Sequence, residues 1–236
     1  TVSDMYKKID GSRFFTKEYK CDISSDGKKL AKVLKSNQFD IIFHFAAQAL
    51  VSTAYKHPLK TLESNVIGTY NVINEIINSD CTNSLVIATT DKVYRDTSDY
   101  NKEDSPLGGN EFYSSSKVAA ENIIEAFKNS KDLHNLSIST VRSGNVLGGG
   151  DGAHGRLLTD LITSVENKEP IVLRSPKSVR PWQDILDSLS GYLLIAENNY
   201  TQKKSNVFNL NSDLNSDFTV EDIANLFINE WKSLFM

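Results

Sequence analysis

Tyr113-Ser114-Ser115-Ser116-Lys117 opens the run Val118-Ala119-Ala120-Glu121-Asn122-Ile123-Ile124-Glu125-Ala126-Phe127. Its apolar residues recur at helical spacing. Residues four apart share one face of a helix, so the Tyr113 phenol and the Lys117 ammonium can address one ligand. A phenol titrates near 10 in water. A fixed cation favours phenolate, which can exchange a proton with a ligand hydroxyl near neutral pH. A Tyr and a Lys sharing a face by chance would show the same spacing. Upstream, Ser84-Leu85-Val86-Ile87-Ala88-Thr89 is a β-rich apolar run ending in Thr90-Asp91-Lys92. Open α/β sheets bind ligands at the carboxyl ends of parallel strands, where those three polar residues fall.

Working outward from this pair, residues 1–16 read as loop with a short helix. Glu18–Cys21 reads as a strand, Asp26–Ser36 as an amphipathic helix, and Asp40–Phe45 as a buried strand closed by Ala46-Ala47-Gln48. Leu59–Ser79 has helical spacing, 94–111 is polar loop, and Asn135–Arg142 is the next strand. The order β-α-β-α-β-α-β predicts an α/β fold with a doubly wound parallel sheet. Beyond Ser143 the pattern changes. A Gly148–Gly152 loop is followed by a helix over Leu157–Glu166, a strand over Pro170–Leu173, a helix over Asp187–Asn198, a strand over Val207–Leu210 and a capped helix over Thr219–Leu234. We therefore expect a sheet domain over 1–143 and a smaller α/β part over 144–236, with some interleaving.

Composition narrows the function classes. The chain has 236 residues and a formal net charge of −4 with no basic block, which argues against a nucleic-acid partner. No apolar run approaches the roughly 20 residues a bilayer span needs. The two cysteines, Cys21 and Cys81, are too few for a disulfide framework and suit reduced packing residues in a cytoplasmic protein. His44, His57, His134 and His154 lack metal-ligand spacing, so no metal is expected.

The strand-end Thr-Asp-Lys followed by Tyr-x-x-x-Lys resembles the extended short-chain dehydrogenase/reductase superfamily. Thr140-Val141-Arg142-Ser143-Gly144-Asn145-Val146-Leu147-Gly148-Gly149-Gly150-Asp151, then Arg156-Leu157 and Arg180-Pro181-Trp182-Gln183, sharpen the likeness. Together they resemble the CDP-glucose 4,6-dehydratases, from about Asp22 to Asn198. Lys92 in place of the usual Glu sets this branch apart from the dTDP-glucose and GDP-mannose dehydratases. The resemblance implies a Rossmann-like domain holding NAD and a CDP-hexose substrate. Tyr113 would take the proton from the hydroxyl at sugar carbon 4 while hydride passes to NAD. Water would then leave carbons 5 and 6, and hydride would return to carbon 6, giving CDP-4-keto-6-deoxyglucose. Elimination needs a base near carbon 5 and an acid near the departing hydroxyl. Asp91 and Lys92 can fill these roles, in an order the residues leave open, and Thr90 would hold the oxygen on carbon 4. A capped strand-end turn with a surface Lys is the plainer reading.

The resemblance also assigns binding residues. Asp22 and Ile23 would hold the adenine, although Asp22 could equally cap a helix. Ala46, Ala47 and Gln48 would run past the nicotinamide ribose, and Asn65 would brace the active-site backbone unless it faces solvent. Asn145, Arg156 and Arg180 would meet the nucleotide diphosphate, which guanidinium forks suit, and Leu157 would belong to the same substrate site. Trp182 would stack on cytosine or pack under its loop. Helices 59–79 and 113–130 would pair across a homodimer axis. A dinucleotide-binding sheet normally opens with a glycine-rich turn between its first strand and helix. No such turn precedes the first helix here, so the sequence is expected to lack a first βαβ segment and to be incomplete at its C-terminal end. An epimerase or reductase of the same fold, or an inactive remnant that only associates, are the competing readings.

Overall fold

The computed structural model describes residues 6–95, 100–130, 133, 135–211 and 217–235. His134 lies outside them. Two compact units divide the chain, one formed by Tyr19–Ser143 with Ser188–Leu210, the other by Thr1–Glu18, Gly144–Asp187 and Asn211–Met236.

The first unit is built on β1 (Ile42–His44), β2 (Ser84–Thr90), β3 (Ser137–Ser143) and β6 (Val207–Leu210), in the order β1-β2-β3-β6 with every pair parallel. In strand β2 alternate side chains serve opposite faces. Leu85 and Ile87 pack with Leu34, Val72, Ile73, Ile76, Ile124 and Ile138, while Val86 packs with Val141, Tyr192, Ile195 and Ala196. The first face is covered by α1 (Gly27–Lys35), α4 (Gly68–Ser79) and α5 (Phe112–Lys128), and the second by α7 (Ile185–Gln202). Apolar burial of about 1.5–3 kcal/mol per large side chain on both faces explains the Leu85-Val86-Ile87 run of β2, whereas β3 sets Ile138 and Val141 among buried polar residues. This is the expected Rossmann-like, doubly wound arrangement.

Helix α2 (Val51–Lys56) precedes α3 (Pro58–Leu62), which enters α4 through a π-helical turn, Glu63–Ile67. The sequence shows 59–79 as one unbroken helix, because a π turn inserts a residue without disturbing the apolar spacing on either side. The strand expected at Glu18–Cys21 is absent. Strand β1 ends the sheet on that side among the described residues, so this segment has no ladder to join, and Tyr19 is exposed. Val207–Leu210, which the sequence places beyond the change at 143, instead extends the main sheet alongside β3.

The second unit pairs β4 (Asn145–Leu147) with β5 (Trp182–Asp184) in parallel and carries α6 (Leu157–Asn167) and α8 (Val220–Phe235). Gly144 is required there. A Cβ at this position would come within 2.5 Å of the Pro181 ring. The strand expected at Pro170–Leu173 does not form. Val172 is exposed and no ladder partner lies beside the segment among the described residues.

Candidate active site

Helix α5 starts with a capping box of reversed composition. The Glu111 carboxylate accepts from the Tyr113 and Ser114 amides at 2.6 and 2.7 Å, and Ser114 Oγ accepts from the Glu111 amide at 3.2 Å. Carboxylate also complements the positive end of the helix dipole. Gly109 lets the preceding loop press onto this turn, since a Cβ there would lie 2.3 Å from the Ser115 nitrogen. The helix start, and Tyr113 with it, is therefore held from both sides.

Tyr113 and Lys117 are both buried on α5. The Lys117 ammonium donates to the Ala88 carbonyl of β2 at 3.0 Å. Burial pushes its pKa down to about 8, against the upward pull of Glu121 one turn further on. At the end of β2 the Thr90 hydroxyl donates to Asp91 Oδ1 at 3.0 Å and accepts from the Lys92 amide at 3.4 Å. This fixes the short 3-10 turn Asp91–Val93. The Lys92 ammonium lies 6.0 Å from the centroid of the Tyr113 ring, so the turn and the helix present their polar groups to the same place.

Asn65 sits in the π turn and is buried rather than solvated. Its Oδ1 accepts from the Gln48 amide at 2.8 Å, and its Nδ2 donates to the Gln48 carbonyl at 3.0 Å and to Ser116 Oγ at 2.8 Å. Ser116 in turn donates to the Tyr113 carbonyl at 2.6 Å. The Gln48 side chain is spent on its own turn, with Leu50 and Thr61 as partners. Nearby, Thr69 donates its single proton to the Asn65 carbonyl at 2.8 Å, so His44 Nε2 must be the donor in their 3.0 Å contact. Burial, reinforced by the Lys117 charge, lowers the His44 pKa to about 4, so the ring is neutral.

An open depression of about 660 Å³ is lined by Lys20, Cys21, Asp22, Ile23, Asp26, Ala46, Ala47 and Ser64. Four of the residues expected at the cofactor therefore share one surface. Asp22 does not cap α1, whose N-cap position is Asp26. Its carboxylate instead accepts from the Ser24 hydroxyl and amide at 2.7 and 2.9 Å, which lowers its pKa.

In the second unit, Asn145 opens β4 and its amide donates to the Pro181 carbonyl at 2.9 Å. Arg156 precedes α6, whose first residue is Leu157, with its Nε shielded from solvent, 3.6 Å from Asp151 Oδ2 and without a hydrogen-bond partner among the described residues. Arg180 is exposed. Trp182 is largely buried and its indole N–H donates to the Phe218 carbonyl at 2.9 Å, so packing occupies it.

A model of the NAD dependent epimerase/dehydratase family matches residues 5–210. The chain belongs to that family. The family is NAD-dependent, in agreement with the cofactor expected from the sequence. The chain is 36% identical over 217 residues, 87% of its length, to the CDP-glucose 4,6-dehydratase of Salmonella typhimurium. It is 30% identical over 220 residues, 84% of its length, to the UDP-glucose 4-epimerase of Mycoplasma genitalium. It spans 60% of the first relative and 64% of the second. Among solved structures, MoeE5 in complex with UDP-glucose and NAD superposes with a TM-score of 0.80 at 22% identity, covering 91% of this chain and 68% of that one. The dTDP-glucose 4,6-dehydratase DesIV of Streptomyces venezuelae, with NAD bound, gives 0.76 at 22% identity, covering 90% and 62%. At such identities these structures bear on the fold.

Within this epimerase/dehydratase chain, several side chains that shape the site were not singled out from sequence. Ser116 and His44 act through buried contacts with partners far along the chain, and Glu111 through the amides of the helix start that follows it. Glu111 alone left a local signal, a carboxylate followed three residues later by Ser114.

Proposed function

We propose that the protein is a sugar-nucleotide 4,6-dehydratase acting on CDP-glucose, with Thr90, Asp91, Lys92, Tyr113 and Lys117 as its catalytic groups. The observation that carries this reading is the placement of the Lys92 ammonium 6.0 Å from the Tyr113 ring. Oxidation at carbon 4 requires one proton acceptor, whereas elimination across carbons 5 and 6 requires a second acid/base group beside it. A 4-epimerase needs no such pair. The Salmonella relative, named as a CDP-glucose 4,6-dehydratase, points the same way.

The residues present suit part of an NAD site. Ala46 and Ala47 leave room for close backbone approach at the depression, and the Lys117 ammonium is fixed beside the end of β2. Bound NAD would supply the oxidant for carbon 4 and the reductant for carbon 6. Lys117 stabilises the Tyr113 phenolate, Tyr113 accepts the carbon 4 hydroxyl proton, and Thr90 orients that hydroxyl. Asp91 and Lys92 divide the acid and base roles of elimination. Asn145, Arg156, Leu157, Arg180 and Trp182 belong to the part of the chain proposed to bind the substrate, with Asn145, Arg156 and Arg180 at its diphosphate. Exposed Leu59, Leu62, Ile67 and Tyr70 favour a homodimer through the α3–α4 run and α5. The free thiols Cys21 and Cys81 suit a reducing, cytoplasmic setting.

Incubating the full-length protein with CDP-glucose in D2O tests the assignment. Dehydration gives a 6-deoxy-4-keto sugar with solvent deuterium at carbon 5. A product that keeps its 6-hydroxyl and is inverted at carbon 4 would replace the dehydratase by an epimerase.

A further inference from the structure

Behind the candidate catalytic groups lies a buried ion pair that the proposed chemistry does not use. Glu121 of α5 and Arg142 of β3 are 6% and 4% exposed. Arg142 donates from Nη2 to Glu121 Oε2 at 2.6 Å and from Nε to both carboxylate oxygens at 3.1 Å. A pair so deeply desolvated is poor evidence for stability, because apolar residues of like volume serve a core at least as well. Its partners point to another role.

Each catalytic segment is tied to this pair. Thr89, the residue before Thr90, donates to Glu121 Oε1 at 2.7 Å. Tyr94, which follows the Asp91–Val93 turn, accepts from Arg142 Nη1 at 2.8 Å and lies with its ring 4.9 Å from the guanidinium carbon. The Tyr94 hydroxyl then donates to Asn209 Oδ1 at 2.5 Å, and Arg142 Nη1 also donates to the Glu103 carbonyl at 2.9 Å. Glu121 itself stands one turn beyond Lys117 on the helix that carries Tyr113. The end of β2, the turn after it and α5 thus converge on a single guanidinium–carboxylate contact.

We infer that Glu121 and Arg142 are positioning residues: they set the spacing between the helix bearing Tyr113 and Lys117 and the turn bearing Asp91 and Lys92. The inference rests on the dehydratase reading for its kinetic consequence, and on geometry alone for its structural one. Lysine cannot replace Arg142, since a single ammonium lacks the fork that grips the carboxylate and Tyr94 together.

The test uses the full-length protein and the double variant Glu121→Leu/Arg142→Met, which keeps volume and removes the unpaired-charge problem. Amide exchange of residues 91–95 should rise about tenfold or more relative to the β3 core. On CDP-glucose, kcat should fall about 10- to 100-fold, with KM held within about twofold. Tyr94→Phe keeps the ion pair and the ring, and should give the same two signs at smaller size. It decides the matter alone if the double variant does not fold. Unchanged exchange overturns the inference, as does a rise in exchange with wild-type kcat. A fall in kcat without faster exchange overturns it too, because the effect would not run through the turn. If wild type converts no sugar nucleotide, the functional reading fails and the exchange result still judges the clamp.

Discussion

Asn65 and Ser116 meet across 51 residues of chain, with Asn65 Nδ2 donating to Ser116 Oγ at 2.8 Å. The contact joins the π turn to the second turn of α5, and Asn65 also holds both backbone groups of Gln48. A π turn costs hydrogen-bond quality, and its recurrence at functional sites reflects side chains it aims inward. Here the side chain aimed inward is Asn65.

Asn65→Leu should orphan the Gln48 amide and carbonyl and leave Ser116 without its donor. Each buried group left unsatisfied costs about 1–3 kcal/mol. Asn65→Asp should be no milder, because a carboxylate cannot donate to the Gln48 carbonyl or to Ser116. Urea unfolding of the full-length protein should show both variants destabilised. An Asp variant as stable as wild type would mean that the bracing bonds contribute nothing.

Gly109→Ala should disturb the site through packing alone. The added Cβ would lie 2.3 Å from the Ser115 nitrogen and 2.5 Å from the Ser114 carbonyl carbon, both backbone atoms of the helix start. Neither can rotate away, so α5 must shift or the loop must lift. Overpacking of this kind costs about 1–3 kcal/mol. Glu111→Ala attacks the same turn by removing its cap, for about 0.5–2 kcal/mol. Melting temperature and kcat should fall together in both variants.

The proposed catalytic pair could be named from the sequence because its signal is local. Tyr113 and Lys117 are four apart on one helix, and Thr90-Asp91-Lys92 follows directly on a strong strand. Asn65 and Gln48 were reached only through the family resemblance and Ser116 not at all, since their contacts run over separations that no periodicity records. The cap was masked by its reversed order, Glu at the N-cap and Ser at the third helical position. Strands β4 and β5 have three residues each, too few for alternation to register. Glu18–Cys21 misled in the opposite direction. Its composition fits a strand, but pairing depends on a neighbour that local sequence cannot reveal.

His44 predicts an acid-side loss of stability. Its pKa is lowered from 6.5 to about 4, so between those values the unfolded chain binds a proton that the folded chain does not. Stability from this group is complete above about 6.5 and falls as pH drops towards about 4, by an amount on the order of 3 kcal/mol. His44→Gln keeps a donor for Thr69 and removes the titration. The wild-type slope of unfolding free energy between these pH values should flatten in the variant. An unchanged slope would place the acid sensitivity elsewhere.

Lys92 and Tyr113 separate the two halves of the proposed reaction. Tyr113→Phe removes the only hydroxyl assigned to accept the carbon 4 proton, so sugar oxidation should stop at the first step. General acid–base catalysis of this kind contributes about 10²–10⁴-fold, and kcat should fall accordingly while cofactor retention after gel filtration stays near wild type. Lys92→Met leaves Tyr113 and Lys117 in place. Oxidation at carbon 4 should proceed, elimination should stall, and reduced-nicotinamide absorbance should persist after mixing with CDP-glucose. Because Lys92 is also held close to the Tyr113 ring, loss of its charge could act by raising the phenol pKa instead. Lys92→Glu distinguishes these effects. It restores a proton-transfer group beside carbon 5 but reverses the charge facing Tyr113. If Lys92 serves elimination, the Glu variant should take up solvent deuterium at carbon 5 where the Met variant does not. If it serves only to assist the phenolate, the Glu variant should be slower than Met in the first oxidation step, and neither should accumulate reduced cofactor.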